Sequence, residues 1–319
     1  MAVPSTLTTV GVIGNGIIGH GVAQVFAAAG KRVVLVGRGE DSLRRAKENI
    51  RAGLELFADN DLLTKAEAEA ALARVTTTLR LEDVAPAELV VEAVPEDMAL
   101  KRDIFRRLDT ICPPPAVLAT SSGHPASEVV DDVKRRERVI ATHFWYPPTL
   151  LPLVEVCAGP ETSREVRDWT CNALRAAGKE PVIIDKEIDG FIGNRIQFAA
   201  LREAWSLWAA GVASAEAIDA VVRNSIGRRL AITGPIESAD VGGLDTLHSF
   251  AKFLQPSLDA SPEPPVKVSA IVAAGGRGYA SGKGLYDWSQ RDGAALLAAR
   301  RAELIRWLKV DRDARKGKE

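Results

Sequence analysis

A glycine-rich turn set between an apolar strand and an amphipathic helix constrains this chain more than any other feature. Thr9-Val10-Gly11-Val12-Ile13 is a short β-prone run that stops at Gly14-Asn15-Gly16-Ile17-Ile18-Gly19. Residues 17 to 29 then read as a helix, with Ile18, Val22, Val25, Phe26 and Ala29 on one face and Gly30 as its stop. Lys31-Arg32 leads into a second strand, Val33-Val34-Leu35-Val36. The turn is G-x-G-x-x-G in the strand-turn-helix setting that gives it meaning. Its first glycine permits the tight turn, its second lets the backbone approach a pyrophosphate, and its third lets the helix pack on the strand. The N–H dipoles of the helix face the same place. Gly14, Asn15, Gly16, Ile17, Ile18 and Gly19 are therefore expected to form a dinucleotide-binding loop.

Nicotinamide specificity is usually set at the end of the second strand, where an Asp or Glu accepts from the adenosine ribose 2′-hydroxyl. Here the sequence is Val36-Gly37-Arg38-Gly39-Glu40-Asp41, with no carboxylate directly after the strand. Arg38 can stack on adenine and neutralise a 2′-phosphate, which tilts NAD(P) binding toward NADP(H). Alternatively, Arg38 is solvated and Glu40 or Asp41 serves the ribose.

At 319 residues the chain is too long for one ordinary core, so two domains are expected. Basic and acidic residues nearly cancel, to a net charge of −1, which leaves no electrostatic footprint for nucleic acid or an anionic membrane. No run approaches the ~20 apolar residues of a membrane span. The N-terminus has no basic region followed by an apolar stretch, and Cys112, Cys157 and Cys171 include no close-spaced pair. Both features fit a cytoplasmic protein with free thiols. None of His20, His124, His143 and His248 is paired with another at metal-ligand spacing, so no metal is expected. The basic tail, Lys309 to Glu319, interleaves acids with its Lys and Arg and is expected to be a solvated, frayed end.

Residues 41 to 83 read as a polar, helix-rich insertion. Leu43, Ile50, Leu54 and Phe57 share one helical face, and Thr64-Lys65-Ala66-Glu67 opens a second helix as a capping box. Strand-like runs recur at residues 75–78, 89–93, 117–120 and 139–141, separated by helical stretches such as Met98 to Leu108. This alternation predicts an α/β fold with a doubly wound parallel sheet, in which ligands bind beyond the carboxyl ends of the strands. Val94, Pro95 and Glu96, Ser121, and His143 all fall at such ends. A helix from about Ser163 to Ala177 and a last strand, Pro181 to Ile184, complete the first part. From Asp189-Gly190 the sequence is helical almost to its end, beginning with an aromatic-rich helix from about Phe191 to Ala210. The boundary is placed near 187, giving a nucleotide-binding domain over 1–187 and a mostly α-helical domain over 188–319.

Between the run ending at Ala141 and the one starting at Leu153 lies Thr142-His143-Phe144-Trp145-Tyr146-Pro147-Pro148-Thr149-Leu150-Leu151-Pro152. Its prolines and aromatics allow neither a helix nor a flexible loop. His143 at the mouth of one strand and Glu155 embedded in the next are a candidate general base and its orienting partner. A buried core histidine with a salt-bridged glutamate would give the same pattern.

These pieces together resemble the 3-hydroxyacyl-CoA dehydrogenase family over nearly the whole chain. Beyond the glycine loop, the resemblance rests on Val91-Glu92-Ala93-Val94-Pro95-Glu96, Thr120-Ser121-Ser122, His143-Phe144 and Leu153-Val154-Glu155-Val156. It continues with Gly190-Phe191-Ile192-Gly193-Asn194-Arg195, Gly234-Pro235, Gly243-Leu244-Asp245 and Ser281-Gly282-Lys283-Gly284-Leu285-Tyr286. The resemblance implies a Rossmann-type domain followed by a helical substrate and dimerisation domain, and a homodimer. It also implies that His143 is the catalytic base, that Glu155 orients it, and that Ser121 and Asn194 hydrogen-bond the reacting oxygen.

Members acting on acyl-CoA usually read His-Phe-Phe-Asn-Pro, with a Lys two residues before the Val-Glu. Here Trp145 and Tyr146 follow Phe144, and Pro152 replaces the Lys. In this the chain is similar to the branch that includes gulonate 3-dehydrogenase (lambda-crystallin) and other dehydrogenases of small hydroxy acids. The expectation is an NAD(P)-dependent dehydrogenase interconverting a secondary alcohol of the 3-hydroxy-acid type and its ketone. A 3-hydroxyacyl-CoA dehydrogenase and a non-catalytic crystallin-like dinucleotide-binding protein are the alternatives.

Overall fold

The computed structural model of the chain describes residues 3–317. Eight strands form among them: β1 (Thr9–Ile13), β2 (Arg32–Val36), β3 (Val75–Thr78), β4 (Leu89–Glu92), β5 (Val117–Thr120), β6 (Val139–Phe144), β7 (Leu153–Ala158) and β8 (Glu180–Ile184). They make one sheet in the order β3-β2-β1-β4-β5-β6-β7-β8. The chain leaves β1 in one direction for β2 and β3, then returns to lay β4 on the other side. That reversal is the topological switch point where open α/β sheets bind ligands.

The strands read as apolar runs because both sheet faces are covered. On β4, Leu89 and Val91 enter one core layer with Val12, Phe26 and Ile50, while Val90 enters the other with Phe105 and Leu118. Helices α1 (Ile17–Ala28), α2 (Glu40–Asp59), α3 (Lys65–Ala73), α4 (Met98–Ile111) and α5 (Arg164–Ala176) connect the strands. Leu43, Ile50, Leu54 and Phe57 of α2 are buried, as their spacing predicts. The α3 capping box forms: the Glu67 amide donates to Thr64 Oγ1 at 3.2 Å and the Thr64 amide to Glu67 Oε2 at 2.7 Å.

One expectation is corrected. The sheet is not wholly parallel, because β7 pairs antiparallel with β6, and β8 follows β7. Residues 145–152 are too few for the crossover, on the order of a dozen residues, that a parallel return needs. The sixth strand also runs past Ala141 to Phe144, so His143 sits within a strand and not at its mouth.

The chain divides into two compact units, one of Met1–Ile192 with Arg300–Glu319 and one of Gly193–Ala299. The sheet and its helices belong to the first. The second is helical: α6 (Phe191–Ala209) runs into it, followed by α7 (Ala215–Asn224), α8 (Ile226–Arg229), α9 (Pro235–Val241), α10 (Leu244–Leu254), α11 (Val266–Ala273) and the start of α12 (Gly293–Lys316). The last part of α12 belongs to the first unit, where Ile305 and Leu308 pack with Phe57, Leu62 and Leu150. Arg312 donates to the Leu62 carbonyl and Arg315 to that of Gly178. The tail is therefore helical to Lys316 and docked through Arg312 and Arg315, where the sequence predicts fraying. Lys318 and Glu319 lie outside the described residues. Among the described residues, no helix is long and apolar enough to cross a membrane.

Candidate active site

A cavity of about 1110 Å³ opens at the switch point between β1 and β4. Gly14, Asn15, Gly16, Ile17 and Ile18 line one side of it, Val94, Pro95 and Glu96 another, and Arg38 a third. The three motif glycines are needed for different reasons. Gly14 has φ +100°, and a Cβ there would stand 2.5 Å from the Ala93 carbonyl oxygen. At Gly19, which packs beneath the loop, a Cβ would fall 1.8 Å from the Gly14 carbonyl oxygen. At Gly16 a Cβ would meet nothing within 4 Å, so the missing side chain keeps open space over the loop. Gly16 is also the N-cap of α1 and offers no side-chain cap, leaving the first-turn N–H groups to a ligand. This loop fits a dinucleotide pyrophosphate. Of the cofactor residues expected from the sequence, Gly19 and Ser121 lie outside the cavity lining.

The Val94–Glu96 wall is held by a buried ion network that the sequence reading missed. Lys101 Nζ donates to Glu92 Oε1 at 2.8 Å, with both side chains buried, and stands 3.4 Å from Glu96 Oε2. Glu92 also accepts from the Val94 amide and the Thr120 hydroxyl, each at 2.7 Å, and Ser122 Oγ donates to Glu96 at 2.6 Å. Removing one partner would leave a buried charge uncompensated, a large penalty. A signal did exist: Lys101 falls on the same face of α4 as the buried Ile104, Phe105 and Leu108.

His143 and Glu155 are directly opposite each other in the β6/β7 register. His143 Nδ1 is 2.8 Å from Glu155 Oε2. Trp145 Nε1 donates to the same oxygen at 3.1 Å, and the Ile192 amide donates to Oε1 at 3.0 Å. With the carboxylate fixed on Nδ1, the neutral imidazole carries its proton there and leaves Nε2 as the basic nitrogen. The ring lies between Phe191 and Trp145, with centroids 5.6 Å and 5.8 Å away. Phe191 is fully buried and held at φ +50°, in the left-handed region uncommon for a bulky residue. Ser121, at the end of β5, accepts a long 3.5 Å hydrogen bond from the Phe144 amide, which brings it to the same strand end as His143. Asn194 stands in the first turns of α6 and belongs to the second unit. The loop after His143 also touches the helix of the glycine loop: a Cβ on Gly21 would come within 3.0 Å of Pro148.

The remaining reactive groups contribute little. Burial pushes the Cys112 and Cys157 thiols up to about 11, so neither is a ready nucleophile. His124, Glu128 and Asp189 have donor atoms within 4.8 Å of one another, and His124 already contacts Glu128 at 3.3 Å.

A glycine-loop groove at the switch point of such a sheet defines a dinucleotide-dependent class of enzyme, and the His143–Glu155 pair lies on β6 and β7, beyond β4 and β5 in the sheet. Residues 9–188 match the family described as 3-hydroxyacyl-CoA dehydrogenase, NAD binding domain, and residues 190–288 match its C-terminal domain. The chain belongs to the 3-hydroxyacyl-CoA dehydrogenase family and is an oxidoreductase acting on a CH–OH group with a nicotinamide dinucleotide. It is 30% identical over 301 residues to 5-formyl-3-hydroxy-2-methylpyridine 4-carboxylate 5-dehydrogenase of Mesorhizobium japonicum, covering 94% of this chain and 96% of that one. It is 33% identical to L-carnitine dehydrogenase of Streptomyces coelicolor, over 90% and 92% of the two chains. A crystal structure of the pyridine-carboxylate enzyme, described as an NAD+ dependent dismutase, superposes with a TM-score of 0.88 at 27% identity, covering 96% and 99%.

Proposed function

We propose that the enzyme interconverts a compact hydroxy acid, free of a CoA arm, and its keto acid, with His143 as general base. The observation that carries this is the His143–Glu155 pair, built into a cross-strand register and closed by a 2.8 Å contact. When bound, the nicotinamide supplies the hydride acceptor. Gly14, Asn15, Gly16 and the Val94–Glu96 wall would hold it. His143 Nε2 takes the hydroxyl proton as the carbinol carbon is oxidised, and Glu155 fixes the tautomer and balances the imidazolium. The family resemblance supports Ser121 and Asn194 as hydrogen-bond partners of the reacting oxygen.

Three features favour a compact substrate. Trp145 and Phe191 crowd the imidazole, and Tyr146 replaces the small amide of the acyl-CoA pattern. Pro152 removes the lysine that pattern carries. Two relatives named for a pyridine carboxylate and for L-carnitine act on molecules without a CoA arm in their names. Arg38 on the groove supports NADP(H) as the form of the nicotinamide cofactor. The buried free thiols support a reducing cytoplasm, and the apolar surface of the second unit supports a homodimer. A panel of free 3-hydroxy acids, carnitine-like and pyridine hydroxy acids and 3-hydroxyacyl-CoA thioesters, run with both cofactors, tests the substrate class. Turnover of free acids with kcat/KM above that of the thioesters is expected, and the opposite order contradicts the proposal.

A further inference from the structure

The lining of the groove includes a second basic residue, Arg45, as well as Arg38. Its interpretation rests on the groove being a dinucleotide site. The position directly after β2, where a carboxylate would grip the ribose 2′-hydroxyl, is Gly37. A Cβ there would stand 2.6 Å from Leu43 Cδ2 and 3.0 Å from Asn15 Cγ. Leu43 is packed in the core and Asn15 belongs to the cofactor loop, so neither can give way cheaply. An Asp or Glu at this point would require the Leu43 and Asn15 side chains to shift.

The next two carboxylates do not replace it. Glu40 and Asp41 are outside the cavity lining, and Asp41 is taken by Arg44 at 2.7 Å. Instead α2 turns Ser42, Arg45 and Asn49 toward the cavity, residues spaced by three and four and so on one helical face. Ser42 Oγ donates to the Gly39 carbonyl at 2.7 Å, and Arg45 is the basic residue that α2 adds to the lining. Neither Arg38 nor Arg45 has an ion pair or side-chain hydrogen bond among the described residues. The other arginine on the cavity, Arg107, is already paired with Glu82 at 3.0 Å. Glu48, one turn beyond Arg45, is the acid that α2 adds to the lining.

Two unpaired guanidiniums in one cavity lining, with a glycine at the carboxylate position, suit a dianion. We infer that Arg45, together with Arg38, seats the 2′-phosphate of NADP(H), and that Gly37 excludes the carboxylate that would enforce NAD. Arginine serves here because its planar fork matches phosphate oxygens in pairs.

The test is equilibrium binding of NADPH and NADH to the intact chain, with 2′,5′-ADP and 5′-AMP as competitors. The wild type is expected to bind NADPH more tightly than NADH by about tenfold or more, and Arg45→Ala and Arg38→Ala each to weaken NADPH by about tenfold, collapsing that ratio. A wild-type preference for NADH, or an Arg45→Ala variant that weakens both cofactors equally, overturns the inference while the groove assignment stands. Binding of neither cofactor overturns the groove assignment, and this inference with it.

Discussion

Lys179 shows how a single buried amine holds the loop beside the His143–Glu155 pair. Its ammonium donates to the carbonyls of Pro148 and of Leu151, the latter at 2.8 Å, and so grips the turn that joins the His143 and Glu155 strands. Burial, with repulsion from Arg315 added, pushes its pKa down to about 7. In the unfolded chain a lysine stays protonated to about 10.4. Between those values the unfolded chain binds the extra proton, so this group's contribution to stability increases as pH rises through that window. Denaturant melts of wild type and Lys179→Met at pH 7 and pH 9.5 check this. The wild type should gain stability relative to the variant at the higher pH, and a constant difference would contradict it.

At the level of elements, the glycine loop and α1 separate binding from folding. Gly16 faces open space, whereas Gly19 sits against the Gly14 carbonyl. Gly16→Val should therefore fold with a near-native melting temperature yet weaken NAD(P)H by about tenfold or more, because its side chain occupies the phosphate path. Gly19→Val should lose stability itself. Circular dichroism melts beside cofactor titrations separate the two, and equal melting losses would refute the distinction. This element was legible in the sequence because each glycine answers a local steric demand. The α2 core face and the α3 cap were legible for the same reason: periodicity and capping are written within a few residues. The direction of β7 was not read, although the short 145–152 connection already implied it. The Glu92–Lys101 pair was hidden because a lysine on an apolar helix face only makes sense once its carboxylate partner is placed. Arg45 was overlooked because helical spacing shows a face but not what that face lines.

The whole molecule carries an imbalance between its units. The first unit holds the buried apolar clusters, while Val268 is the one buried large apolar side chain in 193–299 among the described residues. Phe253 is 78% exposed and Val241 is 82% exposed, on different helices of the second unit. Leaving such side chains in water forgoes roughly 1.5–3 kcal/mol each, so apolar surface of this kind is commonly covered by a partner. A second copy of the chain is the partner that always accompanies it, and a closed twofold pair is the commonest solution. Light scattering at micromolar concentration should give twice the 34.2 kDa chain mass. A monomer mass under those conditions would refute the dimer.

The central claim, that His143 is the base of a nicotinamide-dependent alcohol oxidation, is tested most directly with His143→Gln. The measurement is kcat on the best substrate of the panel, beside the cofactor Kd of the same preparation. The expected result is a fall in kcat of about 10²- to 10⁴-fold with cofactor still bound. A variant that binds cofactor and turns over at the wild-type rate would contradict it.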